Sequence, residues 1–142
     1  MSAAPVPSTA YAHAVRVSLR ERLRTLAAGD LGPLPVIVGG VFPHAARRAL
    51  RYGDGWIPHS RRPQYEDVTD FLPHFRQMAG EIGRDPATVP ITVWGIGEDI
   101  DRLRRYRDQG VARVVISLPA EPAEKTLPTL DRWAELIRRM AG

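Results

Sequence analysis

The stretch Pro35-Val36-Ile37-Val38-Gly39-Gly40 is the clearest structural signal in the sequence. A short β-branched run that stops at two glycines is typical of a buried strand with a tight exit. Pro43 then suits the first turn of a helix. The residues that follow place small and apolar side chains on one face of that helix, with arginines on the other. The apolar face consists of Ala45, Ala46, Ala49 and Leu50. The stretch therefore predicts one strand–helix unit.

The same alternation continues toward the C-terminus. A second strand is predicted at Asp54–Pro58, followed by a helix from about Tyr65 to Ile82. Pro73 lies inside that helix and predicts a kink or a late helix start, because proline cannot donate a backbone hydrogen bond. A third strand is predicted at Ile91–Trp94, before a helix that has acidic residues in its positive first turn.

The last unit has the most apolar strand of the chain, Arg113–Leu118. A continuously apolar strand is expected to be buried on both faces, as in a parallel sheet covered by helices. A final helix is predicted to begin at Thr126 and to bury four large side chains. These are Leu130, Trp133, Ile137 and Met140. Four strand–helix units in a row predict an α/β fold with parallel strands and right-handed crossovers.

The N-terminal residues 1–34 do not join this pattern, so residues 35–142 are predicted to form the domain. Within the extension, His13–Ala28 is predicted to be helical, with Ser18 and Glu21 spaced like a capping box. The whole chain has 142 residues, whereas a complete eight-stranded βα barrel takes about 250. The domain is therefore expected to be something smaller than a full barrel.

The composition excludes several classes of protein. Cysteine is absent, which excludes disulfides, thiolate metal sites and a cysteine nucleophile. No stretch approaches the roughly 20 apolar residues of a membrane span, and no secretory signal is recognisable, so we expect a cytoplasmic protein without membrane contact. The net charge of +4 comes almost entirely from arginine. It could attract phosphates or an anionic coenzyme, but no aromatic–basic interleaving indicates nucleic-acid binding.

Taken together, the ordered pieces resemble the luciferase-like monooxygenase family, from about Pro33 to the end of the chain. Among its branches, the pattern is most similar to the one that uses the deazaflavin coenzyme F-420, with the FMN-dependent branch as the rival. The matching pieces are Pro35–Gly40, Ala45–Arg48, Gly53–Pro58, Gly83–Pro86, Ile91–Val93, Gly110–Val115 and Leu130–Trp133.

The resemblance implies a TIM-type barrel in which the four units correspond to strands five to eight, a C-terminal half-barrel. The first four strands should precede them, and residues 1–34 do not resemble that part. The expected activity is hydride transfer to or from a small organic substrate, by a chain that is incomplete alone. An open half-barrel exposes sheet edges and an apolar inner face, so we expect self-association or a partner chain that completes the barrel.

Barrel enzymes carry their sites in the loops that follow the strands. Here those loops are Gly39–Phe42, His59–Pro63, Gly95–Gly97 and Pro119–Lys125. The resemblance implies that the first of them contacts the phosphate-bearing tail of the coenzyme, through Val38, Gly39, Gly40 and Val41. The alternative is that the two glycines only permit a tight turn from strand to helix.

Three further residues are candidates for the substrate side of the site. Trp56 either lies near the ring pocket or packs against the sheet. His59 and Ser60 either face substrate or coenzyme, where a histidine could transfer a proton, or belong to a solvated polar loop. The four histidines lack metal-ligand spacing, so we expect no metal site. No catalytic residue can be assigned, because the family's ring contacts come largely from earlier strands.

Two other interpretations remain at this point. The chain could be a non-catalytic ligand-binding or protein-interaction module derived from the same family. It could also be a small doubly wound α/β domain of another family, with its ligand again at the carboxyl ends of the strands. The sequence has no phosphate loop and no Gly-x-Ser-x-Gly nucleophile elbow. It does not identify the substrate.

Overall fold

A computed structural model describes residues 34–141 and shows four short strands that alternate with four helices. The elements in chain order are β1 (Ile37–Gly39), α1 (His44–Tyr52), β2 (Gly55–Ile57), α2 (Leu72–Glu81), β3 (Thr92–Trp94), α3 (Ile100–Asp108), β4 (Arg113–Val115) and α4 (Ala123–Ala141). Single 3-10 turns precede α2 at Val68–Phe71 and β3 at Pro86–Thr88. The predicted N-terminal helix lies outside the described residues.

The strands pair in parallel and in the order of the sequence. β1 pairs with β2, and β3 pairs with β4. Isolated parallel bridges, Trp56 to Ile91 and His59 to Trp94, connect the two pairs. The prediction of an α/β fold with parallel strands is confirmed, although each strand is only three residues long.

The two faces of this strand layer differ sharply in burial. On the face toward the helices, Val38, Trp56 and Val93 are at most 8% exposed, and Trp56 stacks on Phe75 of α2. Side chains alternate between faces along a strand, so the residues next to them point the other way. On that opposite face Trp94 and other apolar side chains are about two-fifths exposed. They include Ile37 and Val115. Across β1 to β3, one face is packed and the other is open.

The prediction that the fourth strand is buried on both faces is wrong. All three residues of β4 are exposed. In the described part of the chain, only β3 pairs with β4. Helix α4 packs on α3, and Trp133 is its only buried residue. The prediction that α4 also buries Leu130 and Ile137 is wrong, since they are 39% and 66% exposed, and Met140 is only partly buried against the core.

The second helix begins late, as its internal proline predicts. A 3-10 turn at Val68–Phe71 comes first, and α2 starts at Leu72 with the proline in its first turn. Asp67 caps the 3-10 turn by accepting a hydrogen bond from the Thr69 backbone N–H at 3.0 Å. The same carboxylate pairs with Arg102 of α3 at 2.8 Å, which fastens the loop after β2 to the next unit.

The C-terminal end of α1 is held from outside by Arg84, which follows α2. Its guanidinium donates to the carbonyl oxygens of Leu50 at 2.6 Å and Gly53 at 2.7 Å, with a longer bond to Ala49 at 3.3 Å. The last carbonyls of a helix lack partners inside the helix, and a cation there is favourable. The predicted apolar face of α1 is confirmed, since its four residues are at most 2% exposed.

Candidate functional site

A cavity of about 440 Å³ lies on the open face of the strand layer, at the carboxyl ends of the strands. All four strands contribute to its wall, directly or through the loop that follows. The lining residues are Gly39, Gly40, Ile57, His59, Arg62, Trp94 and Val115. This is the edge at which parallel βα folds place their ligands. Parallel pairing brings these residues together from a span of more than seventy positions in the sequence.

The glycine segment forms one side of the cavity. Gly40 has φ of +120°, and a Cβ there would lie 3.1 Å from the Cβ of Ala45. Gly39 has more room, since its nearest neighbour would be Ile57 at 3.9 Å. Val38 is buried in the core and Val41 is half-buried. Neither valine lines the cavity.

Positive charge lies beside these glycines. The Arg48 Nη2 donates to the carbonyl oxygen of Gly39 at 3.4 Å. Helix α1 begins just after them with no side-chain cap and no acidic residue in its first turn. The positive end of a helix without a protein carboxylate favours anions. Backbone and charge on this side of the cavity therefore fit an anionic group.

Trp56 lies behind the glycine segment rather than on the cavity wall. Its side chain is fully buried, and its ring stacks on Phe75 at a centroid distance of 5.3 Å. Its indole N–H donates to the carbonyl oxygen of Gly40 at 3.2 Å. Trp56 thus holds the glycine segment in place from the core side. These contacts match the packing interpretation of this residue.

His59 is the substrate-side candidate that reaches the cavity. Its Nδ1 accepts a hydrogen bond from the Arg61 backbone N–H at 3.1 Å, so the neutral ring carries its proton on Nε2. The ring lies edge-on to Trp94 at 4.5 Å. Gly95 has φ of +72°, and a Cβ there would collide with the His59 Nε2. A glycine at this position leaves space for the imidazole.

Ser60 is buried and turned away from the cavity. Its hydroxyl donates to the carbonyl oxygen of Gly95 at 2.6 Å, and its backbone N–H donates to that of Trp94 at 2.8 Å. The Ser60 carbonyl accepts from Val68 at 3.1 Å. This residue joins the loop after β2 to the end of β3. Its contacts hold the His59 backbone in position.

Four residues of the cavity wall are missing from the sequence-based candidates. Trp94 and Val115 are the last residues of β3 and β4, and Ile57 is the last residue of β2. Strand alternation could have found them, because each is adjacent to a residue that points toward the helices. Arg62 lies in the predicted loop His59–Pro63, with its guanidinium carbon 5.8 Å from the centre of the Trp94 ring. No sequence pattern singles it out among the other arginines.

The predicted loop after β4 does not contribute to this cavity. Residues of Pro119–Lys125 do not line it, and α4 starts within that segment, at Ala123.

Within residues 34–141, no three His, Asp or Glu side chains are grouped closely enough to hold a metal ion. None of the helices in that range is both long and apolar enough to cross a bilayer.

A family model described as "Luciferase-like monooxygenase" matches residues 8–125. The chain belongs to the luciferase-like monooxygenase family. The matched region begins well before Pro33, where the motif resemblance begins, and it contains all four strands and helices α1 to α3. The recognition of this family from the ordered strand and turn motifs is confirmed.

Curated relatives of this luciferase-like chain come from mycobacteria. Uncharacterized proteins of Mycobacterium tuberculosis and Mycobacterium bovis are 27% identical over 116 residues, which cover 74% of this chain and 38% of each relative. An F420-dependent hydroxymycolic acid dehydrogenase of Mycobacterium tuberculosis is 41% identical over 59 residues, or 40% of this chain and 15% of that protein. The chain thus spans well under half the length of the curated relatives that it matches.

One solved structure is similar over most of the chain. It is an F420-dependent secondary alcohol dehydrogenase in complex with an F420-acetone adduct, and it has 16% sequence identity with this chain. The match covers 93% of this chain and 56% of the other, with a TM-score of 0.33. At that score the superposition says nothing further about the fold.

Proposed function

We propose that this chain is the C-terminal half of an F-420-dependent oxidoreductase barrel, its four units corresponding to strands five to eight. The observation that carries the proposal is the single cavity to which the carboxyl ends of all four strands contribute. Active sites of βα barrels lie at that end. The oxidoreductase chemistry of the family fits such a cavity. The reaction proposed is hydride transfer to or from a small organic substrate.

The choice of coenzyme F-420 over FMN is supported by the relatives. The dehydrogenase with the highest identity reported above is described as F420-dependent. Its matched segment is short, at 15% of that protein. The two coenzymes differ in the ring system, and the family's ring contacts come largely from earlier strands. The contacts that distinguish the two coenzymes are therefore proposed to lie largely outside this chain.

The coenzyme's phosphate-bearing tail is proposed to lie against the backbone of residues 38–41. Gly39 lines the cavity without a side chain, and Arg48 supplies a positive charge next to it. Trp56 fixes the orientation of the Gly40 carbonyl from behind. When bound, the coenzyme supplies the hydride chemistry, while the protein binds and orients it. His59 would present its Nε2–H to substrate or coenzyme from the loop after β2.

The catalytic unit is proposed to need more chain than this one. The curated relatives are much longer than this chain, which covers 38% of them. The open face of the strand layer carries exposed apolar side chains such as Trp94 and Val115. In a complete barrel this face would be covered by the other strands. A second copy of the chain or a partner chain with the first four strands would cover it here.

The test is a titration of the purified chain with F-420 and, separately, with FMN, followed by coenzyme fluorescence. We expect saturable binding of F-420 through its tail, and tighter binding of F-420 than of FMN once the first four strands are supplied. A Gly39→Ala variant should weaken it by about tenfold, because the methyl group enters the cavity wall at the cost of roughly 1.4 kcal/mol of binding free energy. Its nearest contact would be ordinary, at 3.9 Å, so the fold should persist.

The matched control is Gly80→Ala, on the exposed side of α2 with no atom within 4 Å of the new Cβ. It should leave coenzyme binding unchanged. Absence of F-420 binding, or equal loss in both variants, would contradict the proposal. The second candidate function is a non-catalytic ligand-binding or interaction module, for which the exposed apolar side chains of the open face, such as Trp94 and Val115, would form the contact surface. Saturable binding without turnover, even after the missing strands are added, would support that candidate.

A further inference from the structure

We infer that Arg62 forms a second anion-recognition point in this cavity, separate from the glycine segment, for an oxyanion (carboxylate or phosphate) on the ligand. The inference names a substrate class for the proposed function, and only this assignment of the anion as substrate depends on the proposed function. The binding of the anion itself can be measured without any coenzyme. The candidate ligand has an anionic end and an apolar or planar body.

The first argument is that the Arg62 charge is available. Its side chain lines the cavity and lies over the Trp94 ring, with 5.8 Å between guanidinium carbon and ring centre. Across residues 34–141 no carboxylate oxygen lies within 4.0 Å of it, although Glu66 borders the neighbouring hollow. Several other arginines are paired, for example Arg102 with Asp67. A guanidinium without a carboxylate partner is a strong site for an oxyanion.

The second argument is that the loop holds this charge in place. The backbone N–H and C=O of Arg62 both bond to Tyr65, each at 3.0 Å. Tyr65 is itself buried, and its hydroxyl donates to the carbonyl of His59 at 2.9 Å. Its ring packs edge-on against Phe71. Because the backbone of the loop is closed on itself, anion binding costs little backbone entropy and has to order only the Arg62 side chain.

The third argument is the chemistry of the surrounding wall. The Nε2–H of His59 is a second donor on the same side of the cavity, since both residues contact Trp94. Apart from the glycine backbone, the rest of the wall is apolar, through the Trp94 ring itself, Ile57 and Val115. An oxyanion would meet the two donors, and an apolar or flat body would lie along the indole. A neutral polar ligand would leave the guanidinium without a countercharge.

The experiment uses the full chain and three probes of similar size: benzoate, phenyl phosphate and benzyl alcohol. Affinities are measured by calorimetry, and the bound position by the shift of the His59 ring resonances in NMR spectra. We expect at least one anion to bind about tenfold or more tightly than benzyl alcohol, a difference of roughly 1.4 kcal/mol. The tighter of benzoate and phenyl phosphate identifies a carboxylate or a phosphate as the preferred group.

The decisive variant is Arg62→Gln, and Arg61→Gln is the matched control. Both arginines are exposed in the same loop, but only Arg62 lines the cavity. We expect Arg62→Gln to remove the preference for the anion and Arg61→Gln to change it less than twofold. Equal affinity for benzyl alcohol, or an unchanged affinity in Arg62→Gln, would overturn the inference. Anion binding that persists when F-420 fails to bind would refute the proposed function and leave this inference standing.

Discussion

Some residues of the site line the cavity, and others hold these lining residues in place. His59 reaches the cavity, whereas Ser60 beside it and Trp56 in the preceding strand β2 are buried behind it. The sequence predicts all three as one group, because they cluster around the end of one strand. Which of them faces the cavity depends on the pleat and on hydrogen bonds to β3. Those partners are distant in sequence.

Gly95 gives a prediction at this scale, because its lack of a side chain makes room for His59. A Gly95→Ala variant must place its Cβ against the imidazole, so His59 should leave its edge-on position against Trp94. The free energy of unfolding should fall by more than about 2 kcal/mol, of which roughly 1–2 kcal/mol comes from the left-handed backbone. Urea unfolding and the NMR shifts of the His59 ring measure the two effects.

The control for the backbone contribution is Gly83→Ala. Gly83 has a similar φ of +65°, and nothing lies within 4 Å of a Cβ there. This variant should lose only the backbone contribution, with the His59 resonances unchanged. Equal losses of stability in the two variants, with an unmoved imidazole, would contradict the role assigned to Gly95.

At the scale of elements, the helices are tied together by side chains that cross between strand–helix units. Arg84 of the Gly-Arg-Asp-Pro segment covers the end of α1, and Asp67 pairs with Arg102 of α3. In the sequence, that segment is identified only as a piece of the family resemblance, just after the predicted helix that ends at Ile82. The capping of α1 by Arg84 could not be predicted, because the carbonyls that accept its hydrogen bonds are more than thirty residues away. The late start of α2, by contrast, follows directly from a local proline.

Removal of the Arg84 side chain should loosen the first unit from the second. We expect Arg84→Ala to lower the free energy of unfolding by about 2 kcal/mol, because charge-assisted hydrogen bonds to helix carbonyls are lost. The control is Arg47→Ala on the exposed side of α1, which should change it by less than about 0.5 kcal/mol. Urea unfolding monitored by circular dichroism measures both. Similar losses in the two variants would show that Arg84 does not cap α1.

Tyr106 of α3 predicts an alkaline limit to stability. Burial raises the pKa of Tyr106 to about 12, and the charge of the nearby Asp67 adds to the rise. Above pH 10 the unfolded chain ionises this tyrosine while the folded chain keeps it neutral, so ionisation favours unfolding. The stabilisation is fully present below pH 10 and is lost as the pH rises toward 12. The loss amounts to about 2 kcal/mol.

The variant that isolates this effect is Tyr106→Phe, which has no group to ionise. Its free energy of unfolding should fall less steeply between pH 10 and pH 12 than that of the unmodified chain. The measurement is a series of urea titrations across this range. Identical slopes for the two proteins would mean that the Tyr106 hydroxyl ionises equally well in the folded state.

At the scale of the whole molecule, the open face of the strand layer is the dominant feature. Ile37, Trp94 and Val115 are each 38–43% exposed on that side. Both β1 and β4 lack a second neighbour among the described strands. Exposed apolar faces and free strand edges promote association. The molecule is therefore expected to bind a second copy, or a chain that supplies the other strands of the barrel.

This expectation predicts how the 15.8 kDa chain elutes. In size-exclusion chromatography with light scattering, it should show a concentration-dependent mass above that of the monomer. Val115→Lys should shift the chain toward the monomer, because it places a charge on the open face. Ile82→Lys is the control, as Ile82 is 52% exposed but lies at the end of α2. A folded monomer at all concentrations, without either substitution, would contradict the prediction.

The sequence by itself determined the order and type of the elements, the parallel pairing and the family. Short β-branched runs, glycine exits and helical periodicity are local signals, and each is complete within about fifteen residues. The strand-end loops that could carry a site followed from the same pattern. Gly39 and Gly40, two of the four residues that the family resemblance assigns to the coenzyme tail, line the cavity, and their contact with the coenzyme stays a prediction.

Only the tertiary structure decided which surfaces are covered. Arg113–Leu118 has the composition of a strand buried on both faces, yet β4 is exposed. Hydrophobicity states what a segment would gain from burial, but the burial itself depends on a second element lying over it. Folding also brings Arg62 and Trp94 into one wall with His59, because the chain after β2 pairs with the end of β3. The contact between distant strands that creates this wall exists only in the folded chain.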